Sequence, residues 1–419
     1  MRQVWRRVVI AAVTVTVATT SGCTSASQDS PEAVRIGLVA PLTGDSAAFG
    51  NEARQGAELA VELVNGEEQE IALPLLAERG IPSLAGSPLE LIVADSGSDG
   101  GRAADEVGRL VSESNVVAVV GSYDATVTAS ASQRAERLGV PFVNGDSSRG
   151  FLTQRGLEWF FRVGPSDQIV GESLLSLLER ANPEAQGGRI GLVHPNDRQA
   201  SAVAFDIAAT TRSAGYEVVD VPVSDNALNP ALLDANGALD AAVAIGLNVE
   251  SAGSLTSQLK GADALGTAPI VGIGAGFEDP GFGARAQAAA SDVLIGTDWS
   301  VEMSERNVLV SSVASLYQQR YSTPLTADAA ASFTAVYAVA RAINDAASLD
   351  RLRVRGALEG LDIPGRELIM PWDGIRFDAT HQNSAARGVV NQIRDDGRVL
   401  VHPVDLAREA VRWPAQATG

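Results

Sequence analysis

The sequence predicts an α/β protein of two similar lobes, each built on a doubly wound, mainly parallel sheet. Three observations predict it. Strand-like and helix-like segments alternate from Val34 onward, the order that gives a parallel sheet covered on both faces. The alternation restarts after "FFRVGPSD", residues 160–167. An apolar content of 45% in 419 residues suffices for two cores of ordinary size.

The chain begins "MRQVWRRVVIAAVTVTVATTSGC". Arg2, Arg6 and Arg7 form a basic front, Val8 to Ala18 an uncharged, mostly apolar run, and small residues precede Cys23. That is the three-part layout of a secretory signal. The run is too short to cross a bilayer of ~30 Å, which needs ~20 residues. Cys23 is the only cysteine, so it has no disulfide partner within the chain and no second thiol for a metal cluster.

After the polar tail that ends at Ala33, "VRIGLVA" (34–40) reads as a buried strand and "NEARQGAELAVELVN" (51–65) as a helix. Its Ala53, Ala57, Ala60, Val61 and Val64 recur on one helical face. Residues 65–88 read as a surface insertion before the strand "LELIVAD" (89–95). A helix with Ala103, Val107, Leu110 and Val111 on one stripe follows, then strands "VVAVVG" (116–121) and "VPFVNGD" (140–146) around a helix from Thr126 to Leu138. In the second half, strands "RIGLVH", "YEVVDVPV", "AAVAIGL" and "APIVGIG" are spaced by helices from Asp167, from Ala200, near Pro230 and from Ser251. Helices over 306–321, 328–347 and Asp350–Glu359 come next, and a hairpin turning at Asp396-Gly397 closes the pattern.

The net charge is −19, and loss of the arginine-bearing leader makes it more negative. Such a surface repels phosphate backbones, which excludes nucleic acid as a partner. The three histidines show no metal spacing. "GIGAGF" imitates a dinucleotide loop, but Asp279-Pro280 interrupts the helix that should follow. "GDSSR" lacks the closing glycine of a nucleophile elbow. No enzyme activity, cofactor or metal is expected.

In open α/β sheets, ligands bind beyond the carboxyl ends of the strands. The loops leaving such ends are "APLTGDSAAFG", "GSYDAT" with Tyr123, "NGDSSRG", "HPNDRQ" and "GIGAGFEDP" with Phe277. "GSYDAT" opens a helix, where free N–H groups and the dipole favour an anion. Each has a plain alternative: Asp124 or Thr126 as a helix cap, Ser147 and Ser148 as turn residues, Tyr123 and Trp299 as packing.

Taken in order, "VRIGLVAPLTGDSAAFG", "GAELAVELVN", "VVAVVGSYDATVTASASQRAERLGVPFVN", "FFRVGPSDQIVGESL", "SFTAVYAVARAINDA" and "IRFDATHQNSA" with "VVNQIRDDGRVL" resemble the extracytoplasmic solute-binding proteins of the branched-chain amino-acid (Leu/Ile/Val) type of ABC transporter. The resemblance runs from Val34 to Val401. It implies a type I periplasmic-binding-protein clamshell with three hinge crossovers. The crossovers fall near Phe160–Gly164, Gly296–Ser300 and Arg366–Trp372. Lobe 1 then comprises 34–161 plus 298–368, and lobe 2 comprises 162–297 plus 369–412.

Ser21-Gly22-Cys23 resembles the bacterial lipoprotein box, although Thr20 stands where that box prefers leucine. This implies a signal peptide over 1–22, lipidation of Cys23, a tail over 23–33, and a monomer anchored on the extracytoplasmic face beside permease and ATPase subunits. Carried over by position, the carboxylate-binding turn falls on Ala125 and Thr126 and the next contact loop on Asp146, Ser147 and Ser148. Gln199 stands where a tyrosine is often found, and Ala275 where an acid should meet the substrate ammonium; Glu278 and Asp279 lie nearby, out of register. Phe277 and Trp299 complete the expected contacts. The expected solute is an amino acid or close analogue, with an amide or small carboxylate as the alternative, and a ligand-sensing module is the rival role.

Overall fold

The computed structural model describes residues 32–413 except 67–70, 72, 77, 226, 230–232, 234–236, 306 and 395–396. Cys23, the helix expected near Pro230 and the turn residue Asp396 lie outside these. In the first half, β1 (Val34–Ala40), α1 (Ala47–Val64), β2 (Leu89–Asp95), α2 (Gly100–Ser112), β3 (Ala118–Gly121), α3 (Ala125–Leu138), β4 (Phe142–Asn144) and β5 (Phe160–Arg162) alternate as expected. They form a parallel sheet in the order β2-β1-β3-β4-β5.

The second run is α4 (Asp167–Ala181), β6 (Arg189–Pro195), α5 (Arg198–Ser213), β7 (Glu217–Val223), β8 (Ala241–Ile245), α6 (Val249–Lys260), β9 (Ile270–Ile273), short helices α7 (Ala275–Glu278) and α8 (Phe282–Ala286), and β10 (Leu294–Thr297). Then come α9 (Val308–Tyr321), α10 (Ala327–Ala346), α11 (Arg351–Glu359), a small pair β11 (Ile363–Pro364) and β12 (Gly374–Ile375), and the hairpin β13 (Val389–Arg394) and β14 (Gly397–His402). The second sheet runs β14-β13-β10-β9-β8-β6-β7, and only β13 is antiparallel to its neighbours, β14 and β10.

Each sheet is buried on both faces, which is why its strands read as unbroken apolar runs. In β1, Ile36, Leu38 and Ala40 join the cluster under α1 and α10, whereas Val39 joins Val107, Ala131 and Phe142 under α2 and α3. Helix α10 packs against α1 at Gly56, where a Cβ would stand 2.0 Å from the Ala329 carbonyl oxygen. Only glycine permits that approach. The second lobe has its own layers, one around Phe277 and Phe282 and one around Leu174 and Ile207. No helix among the described residues is long and apolar enough to cross a membrane.

Three features differ from expectation. The stretch 65–88 is anchored rather than superficial, because Ile71, Leu73, Leu75 and Ile81 are buried in the first-lobe core. Strands β5 and β10 complete the two sheets at places the alternation passed over. The stretch 366–372, expected as the third crossover, packs its Leu368, Ile369, Met370 and Trp372 in the first-lobe core. The chain enters the second sheet only at Val389.

Candidate functional site

The carboxyl ends of β3 and β4 are tied into one platform by Asn144. Its amide donates to the carbonyls of Gly121 (3.0 Å) and Ser122 (2.8 Å), and its Oδ1 accepts from the Ser147 N–H (3.1 Å). The Ser147 hydroxyl lies 2.6 Å from the Tyr123 carbonyl oxygen, 2.9 Å from that of Ser122 and 2.7 Å from the Thr128 hydroxyl. Ser147 therefore holds the two loops together. Beneath them, the guanidinium of Arg162, 1% exposed, donates to Gln382 (2.5 Å) and to the carbonyls of Arg149 (2.7 Å) and Ser147 (3.3 Å). Burial pushes its pKa down to about 10.

Asp95, at the end of β2, accepts the N–H groups of Leu42, Thr43 and Gly97 and the Thr43 hydroxyl. Burial would raise its pKa, but these bonds hold it below the usual carboxylate range. The loop so fixed leads into α1, where Phe49 stacks on Tyr123 with ring centres 4.4 Å apart and planes 5° from parallel. The Phe49–Tyr123 pair is an aromatic wall at the strand ends.

Around Tyr123 gathers a group of carboxylates from different elements. Asp146 follows β4, Asp328 opens α10, Glu278 ends α7, and Asp298 lies in the crossover after β10. Each is only partly exposed, and burial is the leading cause of the pKa shift in all four. Burial, followed by the charges of Asp328, Glu278, Asp146 and Asp298, drives the Tyr123 phenol above its ordinary pKa. Burial and the neighbouring Asp298 raise Asp146 well above the carboxylate range, and burial with Asp146 does the same to Asp328. Glu278 is pushed up to about 7 by burial and by Asp298, against the Thr297 hydroxyl, which donates to it at 3.0 Å, and the more distant Arg398. Asp298 is pushed up to about 6 by burial. Like charges that raise one another in this way favour the entry of something positive.

The expected contact residues divide. Tyr123 and Asp146 belong to this group. Ala125 is partly buried at the start of α3 beside it. Thr126 is exposed, and both its N–H and its hydroxyl go to Asp124 Oδ1 (2.7 Å each), which also accepts from Val127 (3.1 Å). Asp124 is thus the helix cap, and the turn expected to bind a carboxylate already holds one of the chain's own. The Ser148 carbonyl accepts the Asp167 N–H (2.9 Å). Gln199 is exposed on the first turn of α5, its N–H capped by Asp197 (2.8 Å). Phe277 is 0% exposed, with its ring in the space that Gly246 and Gly272 leave free. Trp299 is 5% exposed, and its indole N–H donates to the Ile369 carbonyl (2.9 Å), tying the passage after β10 to the 366–372 stretch of the first-lobe core. Packing leaves Phe277 and Trp299 no face for a solute.

The sequence reading missed Phe49, Asp298 and Asp328, and set Glu278 aside as out of register. Its signal was present. Glu278 lies three residues beyond Ala275 on a helical turn, so the two share a face. Asp279 does not join; its carboxylate caps the Gly281 N–H (2.6 Å).

The family model described as "Periplasmic binding protein" matches residues 33–408. A curated relative, the Leu/Ile/Val-binding protein homolog 7 of Brucella abortus, is 25% identical over 409 residues, covering 94% of this chain and 96% of its own. Among solved structures, the branched-chain amino acid transporter substrate binding protein LivJ of Streptococcus pneumoniae, in complex with isoleucine, has a TM-score of 0.64 at 23% identity, covering 89% of this chain and 100% of that one. A solute binding protein of R. palustris in complex with benzoate has a TM-score of 0.63 at 15% identity, covering 88% and 95%. At these identities the two structures establish the shared fold.

Proposed function

This chain belongs to the periplasmic binding protein family, and on that premise we propose that it captures a small solute between its lobes and hands it to the permease of an ABC importer. One observation carries the reading. Carboxylates from both lobes, Asp146 and Asp328 of the first, Glu278 of α7 in the second and Asp298 after β10, all act electrostatically on one phenol, that of Tyr123. Ligands of open α/β sheets occupy such a place. The acid that the sequence lacks at Ala275 is supplied by Glu278 and Asp146, which suits a solute with a protonated nitrogen. The protein binds without catalysing a reaction, and amino-acid-like solutes are the first class to test.

The same reading gives the chain its position. Cys23 is the lipid-bearing first residue of an exported monomer, held on the extracytoplasmic face beside its permease and ATPase. Cys23→Ala should release the protein from the membrane fraction, and a wild-type protein of unlipidated mass with a free thiol would refute the anchor. Lobe closure is tested by small-angle scattering. The solute released from gently purified protein is identified by mass spectrometry and added back. A smaller radius of gyration is expected, with a gain in stability of about 2.7 kcal/mol at a hundredfold excess over Kd. An unchanged radius at saturation overturns capture by closure.

A further inference from the structure

We propose that the solute is a small organic cation with two or more protonated nitrogens, of the diamine or guanidino class, held by Asp146, Glu278, Asp298 and Asp328 beside the Phe49–Tyr123 stack. This rests on the reading of the cleft as a solute site and adds the charge of what enters it.

The site gathers acidic groups with no cationic side chain paired to them. Among the described residues, none of these four carboxylates forms an ion pair within 4.0 Å. The arginines nearby are committed elsewhere. Arg398 gives its Nη2 to the carbonyls of Phe277 (3.0 Å), Glu278 (2.8 Å) and Asp279 (3.0 Å), and Arg149 is paired with Asp167 (3.0 Å) and Asp206 (3.4 Å). The buried Oδ1 of Asp146 has no hydrogen-bond partner. Two hydroxyls of the neighbouring elements, Ser122 before Tyr123 and Ser332 one turn on from Asp328, are each 2% exposed and also unpartnered. Their elements meet: α10 backs onto the Asp146 loop at Gly145, whose added Cβ would stand 2.6 Å from the Ala331 carbonyl oxygen. Unpartnered polar groups beside buried like charges are costly, and a bound cation offsets that cost.

The chemistry narrows further. A neutral amino acid brings a carboxylate of its own, and Asp124 already fills the first turn of α3, leaving it the Ala125 N–H alone. A zwitterion also leaves the repulsion among the four acids in place. A metal ion does not fit, because no three His, Cys, Asp or Glu side chains among the described residues are grouped to hold one. Charges separated along an organic chain match carboxylates that come from separate elements and are not grouped tightly enough for a metal. Tyr123 and Phe49 offer the aromatic surface on which ammonium and guanidinium groups rest.

The test is calorimetry on the mature protein near neutral pH with 1,4-diaminobutane, L-arginine, L-leucine and benzoate, paired with scattering for lobe closure. At least one of the two cations should bind tenfold or more tightly than leucine and benzoate and contract the protein. Asp146→Asn and Asp298→Asn should each weaken that cation tenfold or more while keeping a native circular dichroism spectrum. Two variants guard against one failing to fold. Tighter binding of leucine or benzoate, with closure, overturns the cationic class and leaves the cleft reading standing. Failure of all four probes overturns the class as well. The cleft reading then stands or falls on whether a solute co-purifies and closes the lobes.

Discussion

Arg149 of the first lobe reaches Asp206 of the second: its Nη2 lies 3.4 Å from the carboxylate of that α5 residue, while its Nη1 holds Asp167 at 3.0 Å. The same loop carries Asp146, so the ligand platform and the contact between lobes move as one piece.

Asp206→Asn removes the long arm of this link and leaves Arg149 paired with Asp167. The expected loss of stability is small, about 1 kcal/mol or less for a partly exposed pair. Closure should suffer more than folding. Scattering of the solute-free variant should give a larger radius than wild type, with faster solute release. An unchanged radius and release rate would show that the pair does not restrain the lobes.

Arg162 is the support under the same loop. Replacing it by leucine leaves the Ser147 and Arg149 carbonyls and the Gln382 amide oxygen without their buried donor. A loss on the order of 3 kcal/mol is expected in denaturant unfolding. Arg162→Lys keeps the charge but not the fork, and should fall between. Because the loop carries Asp146, solute affinity should drop in the same order. Wild-type stability in the leucine variant would refute the support role.

Much of this was legible in the sequence for a physical reason. Long segments with a strong period, such as α1 and α10, leave little choice of element, and the restart at residues 160–167 marks the second lobe. Strands β5 (Phe160–Arg162) and β10 (Leu294–Thr297) are too short to show a period, and Arg162 interrupts the apolar run. The site was half legible. Tyr123 and Asp146 follow recognisable strand ends. Asp298 sits behind the unrecognised β10, and Asp328 reads as the polar first turn of a helix. Phe277 and Trp299 were misleading because an aromatic residue beside a strand end has the same sequence signature whether it faces a cleft or a core.

Tyr123 separates ring from hydroxyl. Its stack on Phe49 makes the ring the surface a cation meets, while its phenol stays protonated amid the acids. Tyr123→Phe keeps the ring and should change the affinity of a bound cation by less than about 1 kcal/mol. Tyr123→Ala removes ring and stack and should cost about 1–2 kcal/mol. Calorimetry with the cation identified above decides. Equal losses in both variants would assign the contact to the hydroxyl instead.

The acids also set a pH dependence whose sign is fixed. Glu278, at about 7 in the folded chain against 4.5 as an ordinary side chain, binds more protons folded than unfolded between those values, and Asp298, at about 6 against 3.8, does likewise. Folded stability without solute must therefore rise as pH falls through this range. His402 works the other way, its pKa pushed down to about 4 by burial, with Arg180 and Arg387 adding to the effect; its contribution is lost as pH falls below its ordinary 6.5. From about pH 8 to pH 6.5 the acids outweigh His402: Glu278 alone should add about 1 kcal/mol across that window, against about 0.4 kcal/mol lost through His402. Urea midpoints at the two ends measure it. Glu278→Gln should be more stable than wild type at the upper end and should flatten the slope. Binding of a cation runs opposite, since it needs the ionised acids, so affinity should weaken over the same fall in pH while the empty protein gains stability. Stability that drops with pH across this window in the wild type, and not in Glu278→Gln, would mean that Glu278 is ionised and partnered in the folded chain.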